Sequence, residues 1–324
     1  MENGIIKILL KKLSLKFVVN KKISKAKSAY TLLELSIVIA IMAVMMTGAI
    51  GISVSTFNNT KKIATEMRLR QLYDAVGKFL LINKRMPCPA RLDLTINDNG
   101  YGEEVGNGSG CSDFTGVYQG VNSNHFYGMI PMKSLGLPLE FSRDEYGSKI
   151  SFIVDDRFTR SFQDVPNFAN PSFGTVSAYD TAFNIQEKPP SAGKTNSAGA
   201  IMIILSHGKN KFGAFNDNAT TQNIAPTDVD ELSNAYSANF DNNFIFKSLN
   251  SEIFDDIMIY KTRNQLVEEF SAFYLIACNN AGSLFDNKNA YYGQNIFGTC
   301  ANGIVPEIYC DKYGSWHLIN GCTN

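Results

Sequence analysis

Ser28-Ala29-Tyr30-Thr31-Leu32-Leu33-Glu34-Leu35-Ser36-Ile37-Val38-Ile39-Ala40-Ile41-Met42-Ala43-Val44-Met45-Met46, continuing through Ala49 to Val54, is the stretch on which the fold turns. From Leu35 to Val54 it runs 20 residues without a charge. As a helix at about 1.5 Å per residue, such a run spans the roughly 30 Å of a bilayer's hydrocarbon. The reading predicts a transmembrane helix over about 32–54. Glu34 stands at the mouth of this run, where a carboxylate is costly unless it reaches headgroups or meets a cation. That position asks for a functional role.

Before Ala29 the chain carries eight lysines (Lys7, Lys11, Lys12, Lys16, Lys21, Lys22, Lys25 and Lys27) and one acid, Glu2. A basic block beside an apolar span is expected to stay cytoplasmic and send the C-terminal bulk across. Two apolar patches, Ile5 to Leu10 and Phe17 to Val19, are too short to span. They read either as a surface-lying amphipathic element or as a tail without fixed structure. The whole chain of 324 residues has 30 basic and 30 acidic side chains. Removing eight basic and one acidic residue leaves 22 against 29, formally −7 from Tyr30 onward. That balance argues against general nucleic-acid binding.

Ala29, then Tyr30-Thr31-Leu32-Leu33-Glu34-Leu35 and the apolar run, resembles the signal of type IV prepilins and type II secretion pseudopilins. In that family a leader peptidase cuts before an aromatic residue and methylates the new N-terminus. The resemblance implies cleavage between Ala29 and Tyr30, N-methylation of Tyr30, and an assembly role for Glu34, the fifth residue after the cut. Ala29 stands where Gly is usual, and Tyr30 where Phe is usual. Two other readings of the segment stay open: a secretory signal cut after Thr47-Gly48-Ala49, and an uncleaved anchor.

Downstream, Leu69, Leu72, Val76 and Phe79/Leu80 form an apolar stripe at helical spacing among charged neighbours. The N-terminal helix is therefore expected over 30–85, with Pro87 and Pro89 ending it around Cys88. The rest is expected as a globular head in two parts, 86–165 and 200–277, joined by a Pro/Gly/Ser/Asn-rich loop or inter-lobe segment at 166–199. Lys149 to Val154, Ala200 to Leu205 and Phe254 to Tyr260 read as strands, the second central, and Leu266 to Ala277 as a terminal helix. Three segments resemble large-headed bacterial prepilin-like proteins: Met86-Pro87-Cys88-Pro89-Ala90, Ile130 to Pro138, and the Asp144-Glu145-Tyr146-Gly147 turn. The fold class expected is α+β: a long N-terminal helix packed on an antiparallel β-sheet head, with large loops and a disulfide-rich C-terminal extension at 278–324.

Six cysteines are present: Cys88, Cys111, Cys278, Cys300, Cys310 and Cys322, the last four within a tail rich in Asn, Gly and aromatic residues. In an oxidising compartment they would staple that tail. Local economy favours Cys88 with Cys111 and two bridges among the last four, whose connectivity is not readable. Zinc is the rival, although close Cys-x-x-Cys pairs are missing.

Chemistry elsewhere is sparse. Asn107-Gly108-Ser109-Gly110 lacks the Lys-Ser/Thr of a phosphate loop. Ser206-His207 closes a strand without a nucleophile-elbow sequence, and His125, His207 and His317 are scattered. No catalytic residues are expected, and the chain reads as a non-enzyme. No cofactor is expected except calcium, which some pseudopilins bind through loop carboxylates. The candidates are Asp228, Asp230 and Glu231, and Asp286, Asn287 and Asn289, neither set having EF-hand spacing.

The function implied by the resemblance is a minor pilin or pseudopilin subunit of a type IV pilus or type II secretion system. Its partners would be the prepilin peptidase, other pilin or pseudopilin subunits, and the inner-membrane assembly platform. It would sit in the bacterial inner membrane as a single-pass protein with its head in the periplasm, and be incorporated into a filament. The alternative is a membrane-anchored extracytoplasmic binding protein or adhesin.

Overall fold

Twenty uncharged residues followed by an amphipathic stripe give one unbroken helix, α1, Leu32–Asn83, of 52 residues. The computed structural model describes residues 32–106, 110–111, 117–119, 125–160, 183–188, 197–236, 243–247, 254–272, 277–278, 280–312 and 314–322, with side chains of 46–55, 118–119, 197–198 and 277 left aside. The chain divides into two compact units, 1–56 and 57–324.

In the first unit, every described side chain of α1 is exposed, among them Leu32, Leu35, Ile39, Ile41, Val44 and Met45. Among the described residues no helix is long and apolar enough to cross a membrane. Side chains here run only from Leu32 to Met45, and 14 residues reach about 21 Å, short of a bilayer's hydrocarbon. The rest of the expected span, 46–54, lies outside the described side chains. The Lys-rich segment 1–29 is likewise outside the described residues.

In the second unit α1 buries the stripe read from the sequence. Leu69, Leu72, Val76 and Leu80 are fully buried, one helical face laid on the core. The helix stops at Asn83 because Lys84 takes a left-handed φ of 57° and Pro87 cannot continue the ladder.

The sheet beneath has seven strands: β1 (Tyr118–Gln119), β2 (His125–Met129), β3 (Ser151–Asp155), β4 (Phe183–Glu187), β5 (Ser197–Ser206), β6 (Asn243–Phe246) and β7 (Ile257–Thr262). They run in the order β1-β2-β3-β5-β4-β6, and β7 also pairs with β5. Ten-residue β5 is the centre. Its Met202–Leu205 stretch pairs with β3 and its Ser197–Ala200 stretch with β4 along one edge, while β7 runs along the other, so that Ala200 lies between Phe183 and Thr262. Ala200 to Leu205 is buried on both faces, which is why it reads as a continuous apolar run.

The expectation of an antiparallel sheet needs correction: β4 and β6 are parallel, Ile185 opposite Phe244, so the sheet is mixed. β4 also lies inside the segment expected as loop. It was hidden because Phe183 and Ile185 alternate with polar residues over only five positions.

A six-residue helix, α2 (Val229–Asn234), precedes β6. Helix α3 is Arg263–Glu269, not Leu266 to Ala277. Thr262 and Gln265 form a capping box that starts it early, and Ser271, at φ 53°, lies beyond its end. Its following Phe270 lies against Gly77 of α1 so closely that a Cβ there would meet the ring at 2.0 Å. The tail holds β8 (Ala277–Cys278) paired with β9 (Ala290–Tyr291), and a three-stranded meander of β10 (Asn295–Phe297), β11 (Glu307–Cys310) and β12 (Trp316–Asn320).

Candidate functional site: the N-terminal signal and the head's charged clusters

Glu34 occupies the first turn of α1, where a carboxylate is favoured by the unsatisfied N–H groups and the helix dipole. It is exposed. Next to it, the Ser36 hydroxyl donates to the Leu33 carbonyl at 2.7 Å. Ala29 and Tyr30, the expected processing junction, lie outside the described residues.

All six cysteines are paired: Cys88 with Cys111, Cys278 with Cys310, and Cys300 with Cys322. The first bridge is the one favoured by proximity, and the other two stay within the C-terminal four. The zinc alternative is overturned, since no free thiol remains to bind metal. The two tail bridges interleave, and Cys278, Cys310 and Ala290 make a small apolar cluster with Ile296 and Trp316.

The acidic residues singled out from sequence do not converge. Asp228 caps α2, its carboxylate accepting from the backbone N–H of Asp230 and Glu231 at 3.1 Å. Asp230 turns outward to Lys188 and, at 2.9 Å, to Lys247, and those lysines hold its carboxyl below the ordinary range. Glu231, one residue on, turns inward and is 1% exposed. In the tail, Asp286 is 3.4 Å from Lys288, and Asn289 accepts from the Asn280 N–H at 2.8 Å. Asp286 and Asn287 are both left-handed, with φ of 58° and 51°.

What Glu231 joins is a group the sequence does not place together. Its carboxylate lies with Asp255 and Asp256, the loop entering β7, with one oxygen from each within 4.8 Å of the others. Asn210 donates to Glu231 at 2.6 Å, and the Lys209 and Asn210 N–H groups donate to Asp255 at 2.8 and 2.9 Å. Burial pushes Glu231 up to about 7 and Asp255 up to about 6, and Asp256 adds to both. A signal existed in Ser206-His207-Gly208-Lys209-Asn210, a polar turn closing the central strand. Gly208 is required there, with φ 64° and a Cβ that would meet the Asp255 carbonyl oxygen at 2.4 Å.

The histidines sit in three surroundings. His125 is 3.9 Å from Asp155 and packs on Phe183. His207 Nε2 lies 3.1 Å from the Tyr127 hydroxyl. His317 lies 2.7 Å from Asp311 and stacks on Tyr309. Ser206, beside His207, donates instead to Asp144 at 2.6 Å.

Comparison with known proteins adds one match. Residues 24–50 fit the family described as "Prokaryotic N-terminal methylation motif", the prepilin-type cleavage and methylation signal. The chain thus carries that signal, and with it the general character of a pilin-like or pseudopilin-like protein. No curated protein and no solved structure matches.

Proposed function

We propose that this chain is a minor pilin or pseudopilin subunit, cut between Ala29 and Tyr30 by a prepilin peptidase, methylated at Tyr30, and assembled through the N-terminal half of α1. The observation that carries this reading is the methylation motif over 24–50, which runs directly into a helix whose described residues 32–45 expose an apolar surface all round. A surface of that kind suits lipid before assembly and neighbouring helices after it. The uncharged run Leu35 to Val54 supplies the anchor in the inner membrane, and the lysines ahead of it keep the leader cytoplasmic. Glu34 then meets the N-terminal ammonium of an adjacent subunit, each charge offsetting the other's desolvation and setting register.

The large second unit, 57–324, favours low stoichiometry, because a bulky head is hardest to repeat along a closely packed filament. The test is mass spectrometry of the membrane-associated protein, with and without the matching peptidase. A peptide starting at N-methyl-Tyr30, lost without the enzyme, is expected. A terminus near Ile50, or intact Met1, would refute the proposal. Glu34→Leu should still insert and be cleaved but drop out of the filament; normal incorporation would remove the role given to Glu34.

A further inference from the structure

The turn that closes β5 wraps round Asp255, and what it gathers is negative charge held out of water. Glu231 and Asp256 are 1% and 4% exposed, and Asp255 lies half-buried beside them. Burial away from water raises the Glu231 and Asp255 carboxyls, and the neighbouring Asp256 charge adds to both. An acidic cluster alone is not a binding site. The second observation is His207.

This ring is fully buried. Its Nε2 faces the Tyr127 hydroxyl at 3.1 Å and the Ser151 hydroxyl at 3.4 Å. Its Nδ1 faces Asp256 Oδ1 at 3.7 Å, beyond hydrogen-bond reach. Among the described residues neither of those two atoms makes a hydrogen bond, although both are buried. Two polar atoms left in this way cost free energy that a fold normally avoids, and an ion between them is one explanation. The spacing suits it. Donor atoms about 2.1 Å from a cation lie roughly 3–4.2 Å apart, and 3.7 Å falls in that range.

The outer contacts are those of an oriented ligand set. Asn234, itself fixed to the backbone of Ile245, donates to Asp256 Oδ2 at 2.8 Å. Asn210 holds Glu231, and two backbone N–H groups hold Asp255. Each carboxylate is thus steered by one oxygen, as in built metal sites. We propose that Glu231, Asp255 and Asp256, with His207 Nδ1 beside them, bind a divalent transition cation that accepts both carboxylate oxygen and imidazole nitrogen, of the Mn²⁺ or Zn²⁺ kind. Carboxylates alone would suit Mg²⁺ or Ca²⁺ as well, and the imidazole moves the preference. The site tethers α2, the β5 turn and the loop entering β7 to one another, so its role is to lock that edge of the head.

The test is equilibrium dialysis of the full-length protein in detergent against Mn²⁺, with metal analysis and electron paramagnetic resonance. Stoichiometric binding with nitrogen coupling to the bound Mn²⁺ is expected. Asp256→Asn and Glu231→Gln should each weaken it by roughly 10- to 100-fold or more while keeping the circular dichroism of the fold. Asp230→Asn, whose carboxylate faces lysines instead, should bind as the native chain does. Absence of both Mn²⁺ and Zn²⁺ binding, binding of Ca²⁺ alone, or unchanged affinity in Asp256→Asn and Glu231→Gln overturns the assignment.

Discussion

An ammonium with no water around it survives only if protein oxygens replace the water, and Lys149 shows how. It is fully buried at the entrance to β3. Its Nζ donates to the carbonyls of Leu92, Leu94 and Ala219 at 2.7, 2.6 and 2.8 Å, using all three donors. Two loops far apart in sequence are thereby pinned to one strand. Lys149→Met keeps the stem and strands three carbonyls, so a loss on the order of 3 kcal/mol is expected in urea unfolding. Desolvation lowers the Lys149 ammonium from 10.5 to about 8. Between those values the unfolded chain holds more protons than the folded one, so this group's contribution rises with pH from about 8 to 10.5 and is lost as pH falls through 8. The stability gap between native and Lys149→Met should widen over that window; a gap that narrows would mean the ammonium is not desolvated. None of this is legible in sequence, where Lys149 looks like any strand-flanking lysine. The sequence groups Glu231 with the wrong partners for a related reason. Neighbours at 228, 230 and 231 share a stretch of chain, but one turn of α2 sends them to a backbone cap, to two lysines and to the interior. Sequence proximity reports local chemistry, and these two residues are defined by contacts across the fold.

Elements were legible where one periodic signal ran long enough to dominate. The stripe Leu69, Leu72, Val76 and Leu80 fixed which face of α1 enters the core, and the apolar run of β5 fixed the centre of the sheet. Short elements escaped because their signals are few residues long or come from a partner. Strand β4 is made by pairing with β5 and β6 more than by its own alternation. The apolar pattern of helix α3 begins at Leu266, three residues after its true start at Arg263, because its boundary is set by a cap. The Thr262 hydroxyl accepts the Gln265 N–H at 3.2 Å, and the Gln265 side chain accepts the Thr262 N–H at 2.9 Å. Both bonds are exposed, so Thr262→Ala removes the cap and little packing. A loss of about 1 kcal/mol is expected. Thr262→Ser should recover most of it in the same thermal melt. A Ser variant as unstable as the Ala one would place the effect in the lost methyl group instead of the hydroxyl.

At the scale of the whole chain, two different physical solutions stabilise the second unit. The seven-stranded sheet and α1 share one continuous apolar core, running from Leu69 through Phe152 to Ile204. Among the described residues the tail's apolar cluster is Cys278, Ala290 and Cys310 with Ile296 and Trp316 partly buried around them; Phe285, Cys300 and Ile308 are buried apart from it, while Phe297, Val305, Leu318 and Ile319 stay more than half exposed. So small a cluster cannot offset the entropy of ordering more than 40 residues, and the bridges must. Cysteine spacing made the staple legible, but six cysteines allow 15 pairings, and the choice is set by strand register. Cys310 ends β11 and reaches Cys278 on β8, while Cys300, in the connection between β10 and β11, reaches Cys322 just past β12. Closing loops of 32 and 22 residues removes about 3–4 kcal/mol of unfolded-state entropy each. Replacing all four tail cysteines by Ser is therefore expected to raise amide hydrogen exchange across β9 to β12 by roughly 100-fold or more. Exchange in β3 and β5, inside the main core, should hardly move. The opposite outcome is informative in the same experiment. Tail amides that kept their protection would show that strand pairing and the contacts to α3, such as Lys312 with Glu268 at 2.8 Å, suffice to hold the tail. Loss of protection in β3 and β5 as well would show that the tail and the sheet unfold as one cooperative unit.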